Sequence, residues 1–582
     1  MNPRLNLGHD NPCRPRHFRP GRAAEAAPEG PAKAALELSH TRLLIAGALF
    51  LLAFAVIAGR LIEVAGFKSG DVRAAHARQA GPSIAARGDI IDRNGVLLAT
   101  TLDTASLFAV PKQVPGKRDA AAQLASVLPD TNADELYARL SSDKGFVWLA
   151  RQLSPQQKMA VIRLGIPGLE FQPEGKRFYP KGSLAAHVLG FAGLDNTGLA
   201  GIERGRDASL KSGDAPVQLS IDVRLQYILK SELARQIADL NALGGTGIIM
   251  DVRTGEVLAL VSLPDFDPND PGAAKPEDLF DRATLGIYEV GSVFKIFNTA
   301  MALEDGVSTL ASRYDATKPL EVAGYTIHDD DPQNRWLTLP EIFMYSSNIG
   351  EARMAADAGT DRQRDFLGRL GLLRQPSFEL PEIGTPLVPR PWRPINTMTI
   401  AFGHGISVSP LQVASAASAV ANGGILYPAT ILKRPDGSPP QGQRVMSTET
   451  SIQMRKLLRL VVEQGTGKLA DAPGYLVGGK TGTAEKVENG GYARHALVSS
   501  FVGIFPINDP RYLVMALLDE PHIGAKAGGA TGGLTAAPAV RRIVERMAPL
   551  VGIQPVDENS PEIRRSLVVG LPSPQGRKLA AN

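Results

Sequence analysis

The pattern of apolar and polar residues divides this 582-residue chain into segments of different kinds. Residues 1–42 are rich in proline, alanine and arginine with weak periodicity, which is typical of a disordered tail. Residues 43–59 are almost wholly apolar and uncharged, whereas residues 223–548 alternate helix-like and strand-like patterns. The stretch 551–582 is rich in proline and serine and predicts a second disordered tail.

Local patterns predict individual elements of the folded region. An alternating run from residue 87 ends in an Asn-Gly turn, and 96–99 is expected to return as the second strand of a hairpin. Asp222 is placed to cap a helix with apolar residues at three- and four-residue spacing. Ser409 and Pro410 predict the start of another helix. Further strands are predicted at 247–252, 256–261, 500–505 and 511–519.

The apolar segment 43–60 predicts a membrane anchor. Its uncharged part, seventeen residues long, is near the short limit for a bilayer span. Basic residues outnumber acidic ones before it, which predicts a cytoplasmic N-terminus. The alternatives are a cleaved signal peptide, whose n-region would be unusually long and which lacks a clear small-x-small site after Ala58, and a buried core helix. We expect a single-pass protein of the inner (plasma) membrane whose part beyond residue 60 is periplasmic.

Composition limits the other possibilities. A net charge of +4 with 21% charged residues gives no large single-sign field, so no nucleic-acid partner is expected. Cys13 is the only cysteine, so no internal disulfide can form. The chain is too long for one core. The predicted organisation is a tail at residues 1–42, an anchor at 43–60, a first folded domain at 61–215 (the pedestal), a second, larger folded domain at 216–550 and a tail at 551–582.

Three short motifs carry the candidate chemistry, in the order Ser292-Val293-Phe294-Lys295, Ser346-Ser347-Asn348 and Lys480-Thr481-Gly482-Thr483. Residues i and i+3 share a helix face, so Lys295 can reach the hydroxyl of Ser292. A serine hydroxyl becomes a good nucleophile when a neighbouring base takes its proton. Burial beside Phe294 and Phe297 would disfavour the charged lysine and make it such a base.

The second and third motifs supply the remaining groups. Ser346 can relay a proton between Lys295 and an amine, and the amide of Asn348 can hold Lys295 and a substrate amide together. Lys480 offers a positive charge to a substrate carboxylate, with a hydroxyl contact from Thr481 or Thr483. Gly482 is expected to leave room for a substrate backbone along the strand. The backbone N–H groups of Ser292 and Thr483 would form an oxyanion hole.

Each motif alone has an ordinary structural explanation. Lys295 could be a solvated helix residue, Ser346–Asn348 a helix cap and Lys480–Gly482 a turn. Strings similar to the first and third motifs occur elsewhere by chance: Ser141-Ser142-Asp143-Lys144, Lys68-Ser69-Gly70 and Lys211-Ser212-Gly213. No Ser-x-Asn lies among these chance matches. Order and spacing therefore favour function. His328 and His404 have no metal-ligand spacing around them and are predicted to be packing or turn residues.

With these motifs the chain resembles the class B penicillin-binding proteins, which are peptidoglycan D,D-transpeptidases. Ser346–Asn348 and Lys480–Lys486 resemble the septal, division-type (FtsI-like) subfamily more than the elongation type. The family usually has proline and threonine where this chain has Val290 and Val293, neither of which would supply a catalytic group. Other segments that resemble the family are Arg87–Gly95, Arg177–Pro180, Gly201–Glu203, Asp251–Glu256, Ser262–Pro264, Phe266–Asn269 and Pro410–Gln412.

The resemblance implies a penicilloyl-serine transferase fold of the α/β (α+β) class. In it a five-stranded antiparallel sheet with flanking helices and a helical subdomain stands on an N-terminal pedestal. Ser292 would attack the D-Ala–D-Ala bond of a stem peptide, and the acyl group would pass to an amine of a neighbouring stem during septal wall synthesis. Beta-lactams would acylate Ser292 as substrate mimics. No cofactor is implied, and a polytopic glycosyltransferase and division proteins are the implied partners.

Other classes of function remain open at this point. A D,D-carboxypeptidase or a beta-lactamase would pass the acyl group to water instead of an amine. A non-catalytic beta-lactam sensor or divisome scaffold is the third class, but a sensor needs a signalling domain across the membrane, and the first 40 residues look too unstructured for one. A bifunctional class A protein is disfavoured because residues 61–215 seem too short for a glycosyltransferase.

Overall fold

The computed structural model describes residues 45, 47–59, 87–435, 441–488, 491–523 and 529–569. Internal contacts divide the chain into two units, Met1–Ser83 and Ile84–Asn582. In the first unit, residues 45 and 47–59 are helical, and the predicted tail 1–42 lies outside the described residues. None of the helices in the described ranges is long and apolar enough to span a membrane.

The second unit starts with the pedestal. Its strands are β1 (Ile90–Ile91), β2 (Leu97–Ala109), β3 (Val147–Leu153), β4 (Leu169–Phe178) and β5 (Val217–Gln218). Its helices are α1 (Lys117–Val127), α2 (Ala133–Leu140), α3 (Pro155–Arg163), α4 (Ala186–Leu189), α5 (Gly201–Gly205) and α6 (Asp207–Ser212). The sheet order is β3-β2-β1-β5, and β4 also pairs with β2. Apolar residues of β2, β3 and α1–α3 form a separate small core.

The hairpin predicted at the start of the pedestal is confirmed. Ile90 of β1 lies opposite Ala99 of β2. Gly95 takes a φ of +85°, which the Asn-Gly turn requires. The carboxylate of Asp92 accepts the backbone N–H of Asn94 at 2.7 Å, a side-chain contact that stabilises the turn.

The catalytic domain is built on a five-stranded antiparallel sheet, as predicted. Its order is β14-β15-β16-β6-β7. The described strands that follow β5, including short ones outside this sheet, are β6 (Gly244–Asp251), β7 (Val257–Leu263), β8 (Arg313–Ala316), β9 (Leu320–Val322), β10 (Tyr325–Ile327), β11 (Arg335–Thr338), β12 (Ile425–Leu426), β13 (Gln443–Arg444), β14 (Gly478–Glu488), β15 (Gly491–Phe505) and β16 (Tyr512–Asp519). The predicted strands at 247–252, 256–261, 500–505 and 511–519 all fall in this sheet.

Helices cover both faces of the sheet. They are α7 (Val223–Asp239), α8 (Lys295–Glu304), α9 (Leu339–Tyr345), α10 (Asn348–Ala358), α11 (Thr360–Arg369), α12 (Pro394–Ile400), α13 (Pro410–Ala421), α14 (Thr448–Glu463), α15 (Ala536–Met547) and α16 (Pro561–Leu567). The helices α7 and α15 pack on one face, and α13 packs on the other with α8 and α14 beside it. The sheet is therefore the middle layer of three.

The alternation of side chains along β16 explains the layers. Every residue of this strand is buried. Leu513 and Met515 point into the core shared with α8 and α13. Val514 and Leu518 point into the core shared with α7 and α15. Each fully buried side chain of this type contributes roughly 1.5–3 kcal/mol, so the strand anchors both layers.

The predicted helix caps are confirmed. The side chain of Asp222 accepts the backbone N–H of Arg224 at the start of α7. Ser409 caps α13 through the backbone N–H of Gln412, whose side chain bonds back to the serine. Such a reciprocal cap satisfies two backbone donors that a helix start leaves free.

The predicted disordered tail 551–582 is wrong for its first part. The helix α16 lies there, Leu567 at its end is buried, and the carboxylate of Glu558 accepts a hydrogen bond from Arg459 of α14 at 2.8 Å. The proline and serine content of this stretch did not reveal the helix. One capping serine, one proline at the helix start and two apolar residues are enough to dock a short helix on an existing core. The remainder of that tail, from residue 570, lies outside the described residues.

Candidate active site

The proposed nucleophile lies in a tight turn against β14. Ser292 belongs to the single 3-10 turn Gly291–Phe294, which leads directly into α8. Gly291 has a φ of +53°, and a Cβ placed there would lie 2.2 Å from the carbonyl oxygen of Thr483. Only glycine therefore allows the turn to approach the strand so closely.

Gly482 is a second position of close packing. A Cβ at this position would lie 2.3 Å from the carbonyl oxygen of Val290 and 2.5 Å from Ser500 Oγ. The space that a side chain at Gly482 would need is thus filled by the residue before the nucleophile's turn and by β15. Together, Gly291 and Gly482 bring Ser292 and the Lys480–Thr483 strand side by side.

The Ser-Ser-Asn motif forms the junction of two helices. Ser346 ends α9 in the left-handed conformation, with a φ of +61°. Ser347 caps α10 through the backbone N–H of Gly350, and Asn348 is the first residue of that helix. A non-glycine residue in this conformation costs on the order of 1–3 kcal/mol, and such strain is often found at functional sites.

A carboxylate from a neighbouring loop holds this junction. Asp329 Oδ2 accepts the hydroxyl of Ser347 at 2.7 Å, and its Oδ1 accepts the backbone N–H of Ile349 at 2.9 Å. Asp329 lies between β10 and β11, so no pattern within the motif indicated it. These two bonds offset part of the cost of the left-handed residue.

Lys295 is fully buried, and within the described residues the hydrogen bonds of its side-chain amine go to the Ser-Ser-Asn motif. Its Nζ donates to the Ser346 carbonyl at 2.5 Å, to Ser346 Oγ at 3.0 Å and to Asn348 Oδ1 at 2.7 Å. The predicted contact between Lys295 and Asn348 is present. Asn348 Nδ2 donates to the carbonyl of His328 at 2.9 Å, so one of its two N–H bonds is taken by the protein.

Lys480 reaches the same hydroxyl from β14. Its Nζ lies 3.0 Å from Ser346 Oγ and 3.2 Å from the carbonyl oxygen of Thr481. Ser346 Oγ therefore stands between two lysine amines, at hydrogen-bond distance from each. This bridge joins residues from α8, the α9–α10 junction and β14 into one cluster.

The hydroxyls of the third motif already have protein partners. Thr481 Oγ1 lies 2.8 Å from Thr466 Oγ1. Thr483 Oγ1 accepts the backbone N–H of Gly532 at 3.0 Å, which leaves its own hydrogen free to donate. Ser292 is half-buried, and in the ranges that the structure describes no hydrogen bond joins its Oγ to Lys295.

Burial dominates the electrostatics of the cluster. It lowers the pKa of Lys295 to about 8, against the opposing charges of Glu351, Asp330 and Asp329. Burial also lowers the pKa of Lys480 well below its usual value, and the charge on Lys295 lowers it further. Two buried ammonium groups that share one hydroxyl repel each other, so the charged form of both at once is disfavoured.

Sequence reasoning missed a third buried ionisable group in the cluster, Glu351. Glu351 lies on α10 with no exposed surface, and burial raises the pKa of its carboxyl to about 7. It follows Asn348 by three residues, and that helical spacing was the available signal.

His404 packs against Phe402 and Tyr492, as predicted for a packing residue. Within the described ranges, no group of three His, Cys, Asp or Glu side chains could hold a metal ion.

Two known protein families match the two folded regions of this chain. The penicillin binding protein transpeptidase domain matches residues 245–545. The penicillin-binding protein dimerisation domain matches residues 82–224, the region of the pedestal. Similar solved structures include penicillin binding protein 3 of Mycobacterium tuberculosis in complex with aztreonam, with a TM-score of 0.64, 27% identity, and coverage of 81% of this chain and 98% of that one. A peptidoglycan synthetase from Bifidobacterium adolescentis, at TM-score 0.65 and 24% identity over 82% of this chain and 98% of that one, shows the same fold.

Relatives match over most of both chains. The probable peptidoglycan D,D-transpeptidase FtsI of Caulobacter vibrioides is 41% identical over 484 residues, 81% of this chain and 82% of the relative. The probable D,D-transpeptidase PenA of Neisseria gonorrhoeae is 35% identical over 81% of this chain and 85% of the relative. FtsI of Escherichia coli is 30% identical over 84% and 87%. The chain belongs to the penicillin-binding protein transpeptidases, in class B, as its motifs predicted.

Proposed function

We propose that the chain is a peptidoglycan D,D-transpeptidase of the division type, with Ser292 as the acylated residue. One observation carries the assignment of roles: Ser346 Oγ lies 3.0 Å from Lys295 Nζ and 3.0 Å from Lys480 Nζ. A base, a proton relay and a carboxylate-binding cation thus form one hydrogen-bonded line beside the turn of Ser292. Both this spacing and the tight contact of Gly291 with Thr483 support the proposal.

In the first half-reaction, the terminal carboxylate of a D-Ala–D-Ala stem binds at Lys480 and Thr483. A carboxylate there stabilises the ammonium form of Lys480, and by repulsion it favours a neutral Lys295. Neutral Lys295 takes the proton of Ser292, whose Oγ attacks the carbonyl of the penultimate D-Ala. The backbone N–H groups of Ser292 and Thr483 stabilise the oxyanion.

Collapse of this intermediate breaks the peptide bond. The C–N bond of the terminal D-Ala is cleaved, and its nitrogen receives a proton from Lys295 by way of Ser346. The products of this step are free D-Ala and an ester of the stem on Ser292. Proton transfer through a positioned group typically contributes a factor of about 10²–10⁴ in rate.

In the second half-reaction, a side-chain amine of a neighbouring stem attacks the ester. The amine loses one proton to the Ser346–Lys295 pair, the new amide bond forms, and Ser292 recovers its hydrogen as it leaves. The two stem peptides are the only reactants, and the products are the cross-linked stems and the D-Ala released in the first half-reaction. Beta-lactams acylate the same serine, and support comes from the similar Mycobacterium tuberculosis protein in complex with aztreonam.

Product analysis tests the reaction directly. The full-length chain in detergent, given short glycan strands with pentapeptide stems, is expected to form cross-linked dimers with one D-Ala released per cross-link. Ser292→Ala is the matched control and is expected to form neither product. Release of D-Ala with shortened stems and no dimers would make the chain a hydrolase and contradict the proposal.

We further propose that residues 43–60 anchor the chain in the inner membrane, with the N-terminus cytoplasmic and the catalytic domain periplasmic. Support comes from the uncharged run and from relatives named FtsI. A polytopic glycosyltransferase and other division proteins are the proposed partners. In intact cells with a permeabilised outer membrane, an impermeant maleimide is expected to spare Cys13 and to label Ser69→Cys in a Cys13→Ser background; the reverse would contradict this topology.

A further inference from the structure

Glu351 is a buried carboxylate in the catalytic cluster to which the proposed reaction gives no role. It lies on α10, three residues beyond Asn348, and its exposed surface is 0%. Burial of a charge without a close partner costs several kcal/mol of solvation. A carboxylate at this position therefore weakens the fold unless the charges around it offset the cost.

The hydrogen bonds of Glu351 tie two catalytic helices together. Its Oε2 accepts from Asn298 Nδ2 at 2.6 Å, and its Oε1 accepts from Thr299 Oγ1 at 2.8 Å. Both donors lie on α8, one turn beyond Lys295. Glu351 thus joins the helix of Asn348 to the helix of Lys295 next to the point where those two side chains meet.

Charged groups from several elements face this cluster. The positive charges of Lys295 and Lys480 act on Glu351 and oppose the effect of burial. In return, the charge of Glu351 is the largest one that favours the ammonium forms of both lysines. The other titratable groups that interact with the three are Asp329, Asp330, Tyr314 and His404.

The other anions are less suited to act on the lysines. Asp330 is exposed, so water screens its charge. Asp329 is half-buried, and both of its oxygens are bound at the start of α10. Glu351 is the fully buried carboxylate that acts on both lysines, and its charge is screened least.

We propose that Glu351 is a positioning residue whose negative charge keeps one proton on the Lys295–Lys480 pair, so that one amine is an ammonium while the other is a free base. The inference rests on the proposed function, because it assigns those two amines to the base and to the carboxylate-binding cation. Without the carboxylate, protons would leave the pair at lower pH, and substrate binding and proton removal would no longer coincide at neutral pH.

The sign of the effect follows from the charges. Replacing Glu351 by glutamine removes a negative charge that favours both ammonium forms, so both lysines lose their protons at lower pH. The acid limb of the acylation profile, set by the base, and the alkaline limb, set by the carboxylate-binding cation, both move toward acid. A neighbouring opposite charge shifts a pKa by about 1–3 units, so a shift of about one unit or more is expected.

The test is the second-order rate of acylation by a fluorescent penicillin from pH 5 to 10, on full-length wild type and Glu351→Gln. Glu304→Gln is the matched control: it makes the same chemical change at the far end of α8, where the carboxylate accepts hydrogen bonds from Ser447 and Thr450. We expect both limbs to move toward acid in Glu351→Gln and to stay in place in the control.

A lower rate with unmoved limbs in Glu351→Gln would mean a merely structural role and would overturn the inference. If that variant does not fold, Thr299→Val provides the second test. It removes one hydrogen bond to the carboxylate, raises the pKa of Glu351 and is expected to move the acid limb the same way by less; an unmoved limb overturns the inference. A wild type that penicillin does not acylate at Ser292 would instead refute the proposed function.

Discussion

Buried charge is handled in opposite ways in the pedestal and in the active site. In the pedestal, Arg87 and Glu203 are fully buried and directly paired. Arg177 joins the same carboxylate at 2.6 Å, and Arg87 also reaches Asp207 at 2.7 Å. Each of these four charged side chains has an opposite charge in contact.

In the active site, the buried charges are not directly paired. Lys295 and Lys480 have no exposed surface, and in the described part of the chain their partners are hydroxyl, carbonyl and amide oxygens. The carboxylate of Glu351 is bonded to Asn298 and Thr299 instead. Paired charges hold a structure in place, whereas buried amines without a contacting carboxylate are left ready to exchange protons.

Removal of the base is the change expected to have the largest effect on chemistry. Lys295→Met should lower the acylation rate by a factor of about 10²–10⁴, because Ser292 then has no group to take its proton. Its stability should fall less than that of the pedestal variant described next, since the buried cation that is removed had no ion-pair partner. Stopped-flow acylation and chemical unfolding check the two parts; near-normal acylation would remove Lys295 from the mechanism.

The same kind of change in the pedestal should affect stability instead. Glu203→Gln leaves Arg87 and Arg177 buried without their counter-charge, which should cost about 3–5 kcal/mol of unfolding free energy. Acylation per folded molecule should stay close to that of wild type. Denaturant unfolding measures the first and active-site titration the second; unchanged stability would show that this pair is not what holds the pedestal.

The pH dependence of the wild type should reflect the unpaired lysines. Burial lowers the pKa of Lys295 to about 8, so its free-base fraction falls about tenfold for each pH unit below that value. The acylation rate should therefore rise from pH 6 to about pH 8. A profile that stays flat over this range would contradict the assignment of Lys295 as the base.

The smallest effect is expected at the exposed end of the pedestal network. Burial raises the pKa of Asp207, but hydrogen bonds from Lys211, Gly198 and Arg87 outweigh it and lower the pKa to about 2. Its contribution is therefore present above its ordinary pKa and lost as pH falls toward 2. Because the side chain is partly exposed, Asp207→Asn should cost at most about 1 kcal/mol, measured by unfolding at pH 7.

Local chemistry explains what could be predicted from the sequence. The cap of Ser409, the turn at Asn94-Gly95 and the strand pattern of β16 are set by neighbouring residues and agree with the structure. Order and spacing of the three motifs identified Lys295, Ser346, Asn348 and Lys480, which the structure joins by hydrogen bonds.

What could not be predicted depends on distant segments of the chain. Asp329 reaches the Ser-Ser-Asn junction from a loop, and Glu351 acquires its role only because α10 packs on α8. The close approach of Val290 and Ser500 to Gly482 was also missed, because it is a tertiary contact. The docking of α16 depends in the same way on a core formed elsewhere.

The central claim is that the hydroxyl of Ser292 is the nucleophile beside the two unpaired lysines. Mass spectrometry of tryptic peptides after treatment with penicillin tests it most directly, with Ser292→Ala as the control. The account predicts one penicilloyl adduct, on the peptide that contains Ser292, and none in the control. An adduct on another residue, or one that persists in Ser292→Ala, would contradict it.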